Sequence, residues 1–235
     1  MGLSWDALNH HIYLGWIAEH SRFGQDFLAA GYQSYQFPYL YWPVYKLAAV
    51  GAGPITTGVV LATLDLMALP PVWMITRTCM PGQQPLDRAM RLLAVLLAFL
   101  SPVALSQLDS SSDDLLAAVP LVWAIALAFE SFNPQCSRRH RWLAILSGLC
   151  AGIAVACKLS NGPLVLMMPV LWAFCGTNAR ERVVNTMLAA VATVVGLIAT
   201  YGYWGMLLWT QFGNPIYPFY DFAFEPLRQW AGWAR

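Results

Sequence analysis

An all-α bundle of membrane-spanning helices is the fold class this sequence predicts, and three observations predict it. Of 235 residues, 58% are hydrophobic and only 11% charged, and mean hydropathy is +0.52. A soluble domain carries about 25% charged residues, so too little polar surface is present to clothe a globule in water. The apolar residues fall in long runs, and the cations cluster in the breaks between them. Low charge with high hydropathy also excludes a disordered chain. A net charge of +1 removes any electrostatic footprint for nucleic acid.

Taken in order, residues 1–53 are expected to form an extracytoplasmic first loop with interfacial helices. Residues 1–11 hold an Asp, two His and no long apolar core, so no cleavable signal is expected. SWDALNHHIYLGWIAEH has helical spacing after Asp6, with Leu8, Ile12, Leu14 and Ile17 on one broad face. QFPYLYWPVYKLAAVGA, residues 36–52, is rich in Tyr and Trp and broken by Pro38 and Pro43, which suits the headgroup layer better than a crossing. Residues 54–207 are expected to form the transmembrane bundle, with about six spans near 54–76, 90–106, 115–131, 142–157, 160–175 and 184–207. Pro70, Pro71, Pro102, Pro120 and Pro169 lie within these spans and read as kinks. Residues 208–235 are expected to be an extracytoplasmic loop rich in aromatics and proline. Cys79, Cys136, Cys150, Cys157 and Cys175 form no CxxC pair and read as reduced, core-filling residues.

Orientation follows from the cations. Arg77, Arg88, Arg91, Arg138, Arg139, Arg141, Arg180 and Arg182 fall in alternate breaks, which marks those breaks as cytoplasmic. The remaining polar segments then share the opposite side. They carry Asp6, Glu19, Asp26, Asp109, Asp113, Asp114, Asp221 and Glu225, so functional groups are expected to converge on that face.

Four islands lie there in order: WDALNHHIYLG with its following FGQD and QSYQFP stretches, QLDSSSDDLLAA, CKLSNGPLVL, and QFGNPIYPFYDFAF. Together they resemble bacterial GT-C-type polytopic membrane glycosyltransferases of the mannosyltransferase-like superfamily. The resemblance implies a multi-pass protein of the bacterial inner membrane whose working face is extracytoplasmic and whose donor is a polyprenyl-phosphate-linked sugar. It also implies that Asp6, which matches the family's first-loop aspartate, is catalytic, and that the loop of Asp113 and Asp114 carries a second acidic motif.

The chemistry asks for such groups. An inverting transfer needs a base for the acceptor hydroxyl, and a cation helps most where the leaving phosphate gains charge. Asp6 is the candidate base, with a helix cap as its alternative reading. Lys158, followed by Asn161 at a helix start, is the candidate for the phosphate; a snorkelling lysine is the alternative. Asp6 and His10 share a helix face, His11 turns away from it, and either histidine could orient the base or meet the phosphate. Arg22 could bind phosphate bidentately or be a solvated loop residue. Asp113 and Asp114 suit a helix N-terminus; they could equally bind acceptor or a divalent cation such as Mg or Mn, though their spacing is not diagnostic of a metal. Asn214 and Tyr217 belong to a rigid turn where rings could stack on sugar, or to an aromatic belt. Asp65 sits mid-span, where an ionisable group is expensive and should face the bundle interior.

GT-C proteins usually place a span before the catalytic loop and continue past the GNPIYPFYDFAF segment. This sequence shows neither, and so keeps a second reading open: a non-catalytic membrane protein that binds a lipid-linked glycan or a partner membrane subunit. A transporter is less consistent, because the polar groups gather at one face and do not thread the spans.

Overall fold

The computed structural model describes residues 5–26, 28–108, 110–132 and 139–233. Asp109, Cys136 and Arg138 lie outside them. The chain divides into two compact units, residues 1–57 with 201–235, and residues 58–200. Among the described residues the structure is helical apart from a four-residue extended stretch, Ala29–Tyr32.

The first unit opens on a π-helical turn, Ala7–His11, continued by α1 (Ile12–Ile17). Leu14 and Ile17 are buried as expected, but Leu8 is exposed, because the wide turn rotates it off the apolar face. A 3₁₀ turn, Pro38–Leu40, leads into α2 (Trp42–Ala49), whose eight residues span only about 12 Å, so this segment forms no crossing of its own. Gly15 lets α1 approach α2, since a Cβ there would strike the Tyr41 carbonyl and Tyr45. Tyr35 and Trp204 are buried at the centre of an aromatic cluster, with the Trp204 indole donating to the Tyr35 carbonyl at 3.0 Å.

α3 (Pro54–Asp65) and α4 (Leu69–Cys79) are joined by a 3₁₀ turn, Leu66–Ala68. Pro70 and Pro71 stand in the first turn of α4, where a missing N–H costs nothing. Asp65, at the 3₁₀ turn, is buried as a mid-span carboxylate should be. α5 (Pro85–Phe99) and α6 (Pro102–Gln107) correct one expectation: the span near 90–106 is two helices. Ser101 caps α6 by accepting from the Ala104 N–H at 3.3 Å, and Pro102 follows it. α7 (Asp114–Glu130), α8 (His140–Cys157) and α9 (Gly162–Trp172) make the core of the second unit, with Ala124, Ala128, Ala144, Ala151 and Ala154 at the contacts. Small side chains let helices approach where lipid supplies no hydrophobic drive between them. Ser147 donates to the Ala124 carbonyl at 2.6 Å and accepts from the Trp172 indole at 2.9 Å.

α10 (Ala179–Phe212) runs parallel to α8 over a seam of glycines. A Cβ on Gly148 would strike Ala189, one on Gly152 would strike Thr193, and one on Gly196 would strike Leu149. α11 (Asp221–Trp230) closes the described chain.

Among the described residues, three helical stretches are long and apolar enough to cross a membrane: Pro54–Cys79, His140–Cys157 and Ala179–Phe212. The segments expected near 115–131 and 160–175 form α7, of 17 residues, and α9, of 11 residues, and both are shorter than the ~20 residues of an ordinary crossing. Of the cysteines described, Cys175 fills the core, Cys150 and Cys157 are half-buried, and Cys79 is exposed, unlike its expected place.

Candidate functional site

In the second unit, residues far apart in sequence meet where α7 begins and α8 ends. α8 stops at Cys157, Lys158 is extended (φ −152°, ψ 116°), and a 3₁₀ turn, Leu159–Asn161, leads to the Gly162-Pro163 start of α9. The Asn161 amide ties this bend down by donating to the carbonyls of Ala117, at 3.1 Å, and Ala154, at 2.9 Å. Lys158 Nζ is thereby held against both Asp113, at 3.1 Å, and Asp114. Both aspartates stand at the N-terminus of α7, as the charge preference of a helix start expects: Asp113 occupies the N-cap position, without a side-chain cap bond, and Asp114 lies in the first turn.

Burial alone would pull the Lys158 ammonium down, but its hydrogen bonds to Asp114 and Asp113 and their fields win, and its pKa is raised. The lysine is therefore held charged. The Asp113 side chain is 9% exposed and that of Asp114 59%, so Asp113 is the shielded partner of Lys158 and Asp114 the solvent-facing one. Ser112 Oγ donates to Asp114 at 3.2 Å and steadies it. These two carboxylates share the Lys158 ammonium. Among the described residues, no three His, Cys, Asp or Glu side chains form a metal set.

The first unit holds the remaining predicted residues. Asp6 is exposed, makes no cap bond, and stands 3.8 Å from His10 Nε2, beyond hydrogen-bond length but within ionic reach. His10 packs its edge on Trp5, and its buried Nδ1 has no partner among the described residues. His11 is buried and stacks on Tyr41 with ring centroids 4.9 Å apart, so its ring serves packing. Arg22 lies over Trp16 and pairs with Asp26 at 3.4 Å, on the wall of a cavity of about 270 Å³ shared with Gln25 and Gln211. Tyr13 donates to the same Asp26 at 3.4 Å; burial and that carboxylate push the phenol up to about 12.

Asn214 is fully buried, and its amide is spent on the turn: it donates to the Phe219 carbonyl and Asp221, and accepts from the Ile216 N–H. Tyr217 stacks on Phe212 at 4.2 Å and meets Tyr35 edge-on. Both residues therefore build the turn.

Two charge clusters escaped the sequence reading. Arg228 is buried and grips Asp221 through Nη1 at 2.7 Å and Nη2 at 3.1 Å. Gly213, at φ +62°, leaves room for it: a Cβ there would come within 2.6 Å of Arg228 Cδ. Their seven-residue spacing, two helical turns, was the available signal. Glu19 receives Lys46 at 2.6 Å and the Trp42 indole at 2.7 Å, and these bonds, Lys46 first, hold its carboxyl below the usual range. No sequence signal links Glu19 to α2.

Comparison with protein-family models, with curated proteins and with solved structures finds no match for this chain.

Proposed function

We propose that this chain is a membrane glycosyltransferase of the GT-C kind, moving a sugar from a polyprenyl-phosphate donor to an envelope glycan, lipid or protein. In this reading α5 with α6, α7 and α9 join the three long helical stretches as six spans in a bacterial inner membrane, and the Lys158 end is extracytoplasmic. Asp6 takes the proton of the acceptor hydroxyl as its oxygen bonds to the anomeric carbon. The bond from that carbon to the donor phosphate oxygen breaks, and the lipid phosphate leaves with the electron pair. Lys158, exchanging Asp114 for the phosphate, offsets the charge that develops there.

The observation that carries the reading is the charged lysine held between a buried and an exposed carboxylate. The motifs that resemble the family bring the same three residues forward. The test is transfer from polyprenyl-phosphate sugars by the reconstituted chain. Asp6→Asn is expected to slow turnover by about a hundred- to ten-thousand-fold while donor binding persists; equal turnover by both proteins removes Asp6 from the mechanism.

A second reading, a non-catalytic protein that binds a lipid glycan or a partner subunit, is favoured by the internal neutralisation of Lys158 and the commitment of Asn214 to its own turn. Donor binding without turnover in the unaltered chain selects it.

A further inference from the structure

We propose that the arginine-bearing end of the second unit binds the headgroups of acidic phospholipids. This goes beyond the proposed transfer and uses none of its residues.

A set of side-chain contacts brings this end together. Arg77, near the end of α4, bonds Glu130 at the end of α7 at 3.0 Å, and Arg91 of α5 reaches back to the Met80 carbonyl at 2.8 Å. Ser131, just past α7, stands 2.7 Å from Cys175, just past α9. Asn185, in the second turn of α10, donates to the Cys175 carbonyl at 2.6 Å. α8 runs parallel to α10, with Gly148 against Ala189 and Gly152 against Thr193, so His140 and Arg141, which open α8, lie at the same end as the first turns of α10. Three helices, α4, α7 and α9, therefore end here, and α5, α8 and α10 begin here, so helix dipoles largely offset one another.

The side chains do not offset. Asp87 is spent capping α5, Glu130 on Arg77, and Glu181 on the Thr177 N–H and hydroxyl. Arg88, Arg139, Arg141 and Arg180 are exposed, and their side chains make no hydrogen bond or ion pair among the described residues. Such bare guanidiniums at the end of spanning helices lie at headgroup depth. Trp142, beside Arg141 and 67% exposed, is the residue type that settles at that depth. A guanidinium fork matches phosphate oxygens bidentately, and phosphodiester headgroups without a balancing amine are the anions a bilayer offers.

The experiment places the full chain in nanodiscs of phosphatidylcholine with one fifth phosphatidylglycerol, and measures the lipids retained after mild detergent release by native mass spectrometry. Preferential retention of phosphatidylglycerol is expected, with about fivefold weaker affinity for each arginine neutralised, as in Arg139→Gln and Arg180→Gln singly, and a larger loss for both with Arg88→Gln and Arg141→Gln. Replacing all four by lysine is expected to keep most of the preference, which separates charge from folding. Equal retention of both lipids by the unaltered protein, or unchanged preference in the folded glutamine variants, overturns the proposal. Displacement of phosphatidylglycerol by millimolar inorganic phosphate also overturns it, by making the site one for free phosphate.

Discussion

The two ends of the second unit solve the same electrostatic problem in opposite ways. At one, Lys158 is shared by Asp113 and Asp114, so these three charges partner one another. At the other, Arg88, Arg139, Arg141 and Arg180 stand exposed while the neighbouring acids are occupied elsewhere. The difference teaches that charge balance in this unit is local at the lysine end and left to the surroundings at the arginine end. Substitutions should accordingly act on stability at the first and on lipid or salt response at the second.

The largest expected effect falls between the ends, on the seam that keeps α8 and α10 parallel and so keeps their first turns together. Gly152→Leu drives a side chain into the Thr193 backbone and should cost about 3 kcal/mol or more, seen as loss of folded, monodisperse protein in detergent. If the variant melts like the unaltered chain, the helices are not fixed by this contact. Next comes Lys158→Met, which strands the nearly buried Asp113. Because Lys158 is itself about one-third exposed, solvent screening reduces the expected loss to about 1–2 kcal/mol, read from thermal unfolding in detergent.

The same pair has a pH signature. The folded pKa of Lys158 lies above the ordinary lysine value of 10.5, so its stabilisation is complete below that value and drains away as pH rises through the folded value. The unaltered protein should therefore lose its margin over Lys158→Met only in that alkaline window, checked by melting both across pH 8–12. A margin that vanishes already at pH 9 would mean the ammonium is not held as described. The smallest effect belongs to Arg139→Gln, expected to move unfolding by less than about 0.5 kcal/mol. A larger shift in lipid-free detergent would show that this arginine has a protein partner after all, and would erase the contrast between the ends.

Much of this architecture was legible in the sequence because its cause is global. Scarcity of charge sets the membrane class, and segregation of arginines into alternate breaks reappears as one basic end. The meeting of Asp113, Asp114 and Lys158 was legible through order along antiparallel helices, since a loop before α7 and a loop after α8 must lie at the same end. Local punctuation was legible but missed: Ser101-Pro102 is a helix-start signal inside a run that hydropathy alone reads as continuous. The grip of Arg228 on Asp221, two helical turns apart on α11, was likewise legible but missed, whereas that of Lys46 on Glu19 depends on backbone turns that composition does not encode. Asn214 looked like a ligand for the same reason that makes it a good turn residue, an amide that both donates and accepts.

The 34 residues of α10 measure about 51 Å, against a hydrocarbon layer of about 30 Å, and even a 40° lean absorbs only part of that surplus. A crossing uses only about twenty of those residues, so α10 carries more than three turns beyond what the hydrocarbon layer requires.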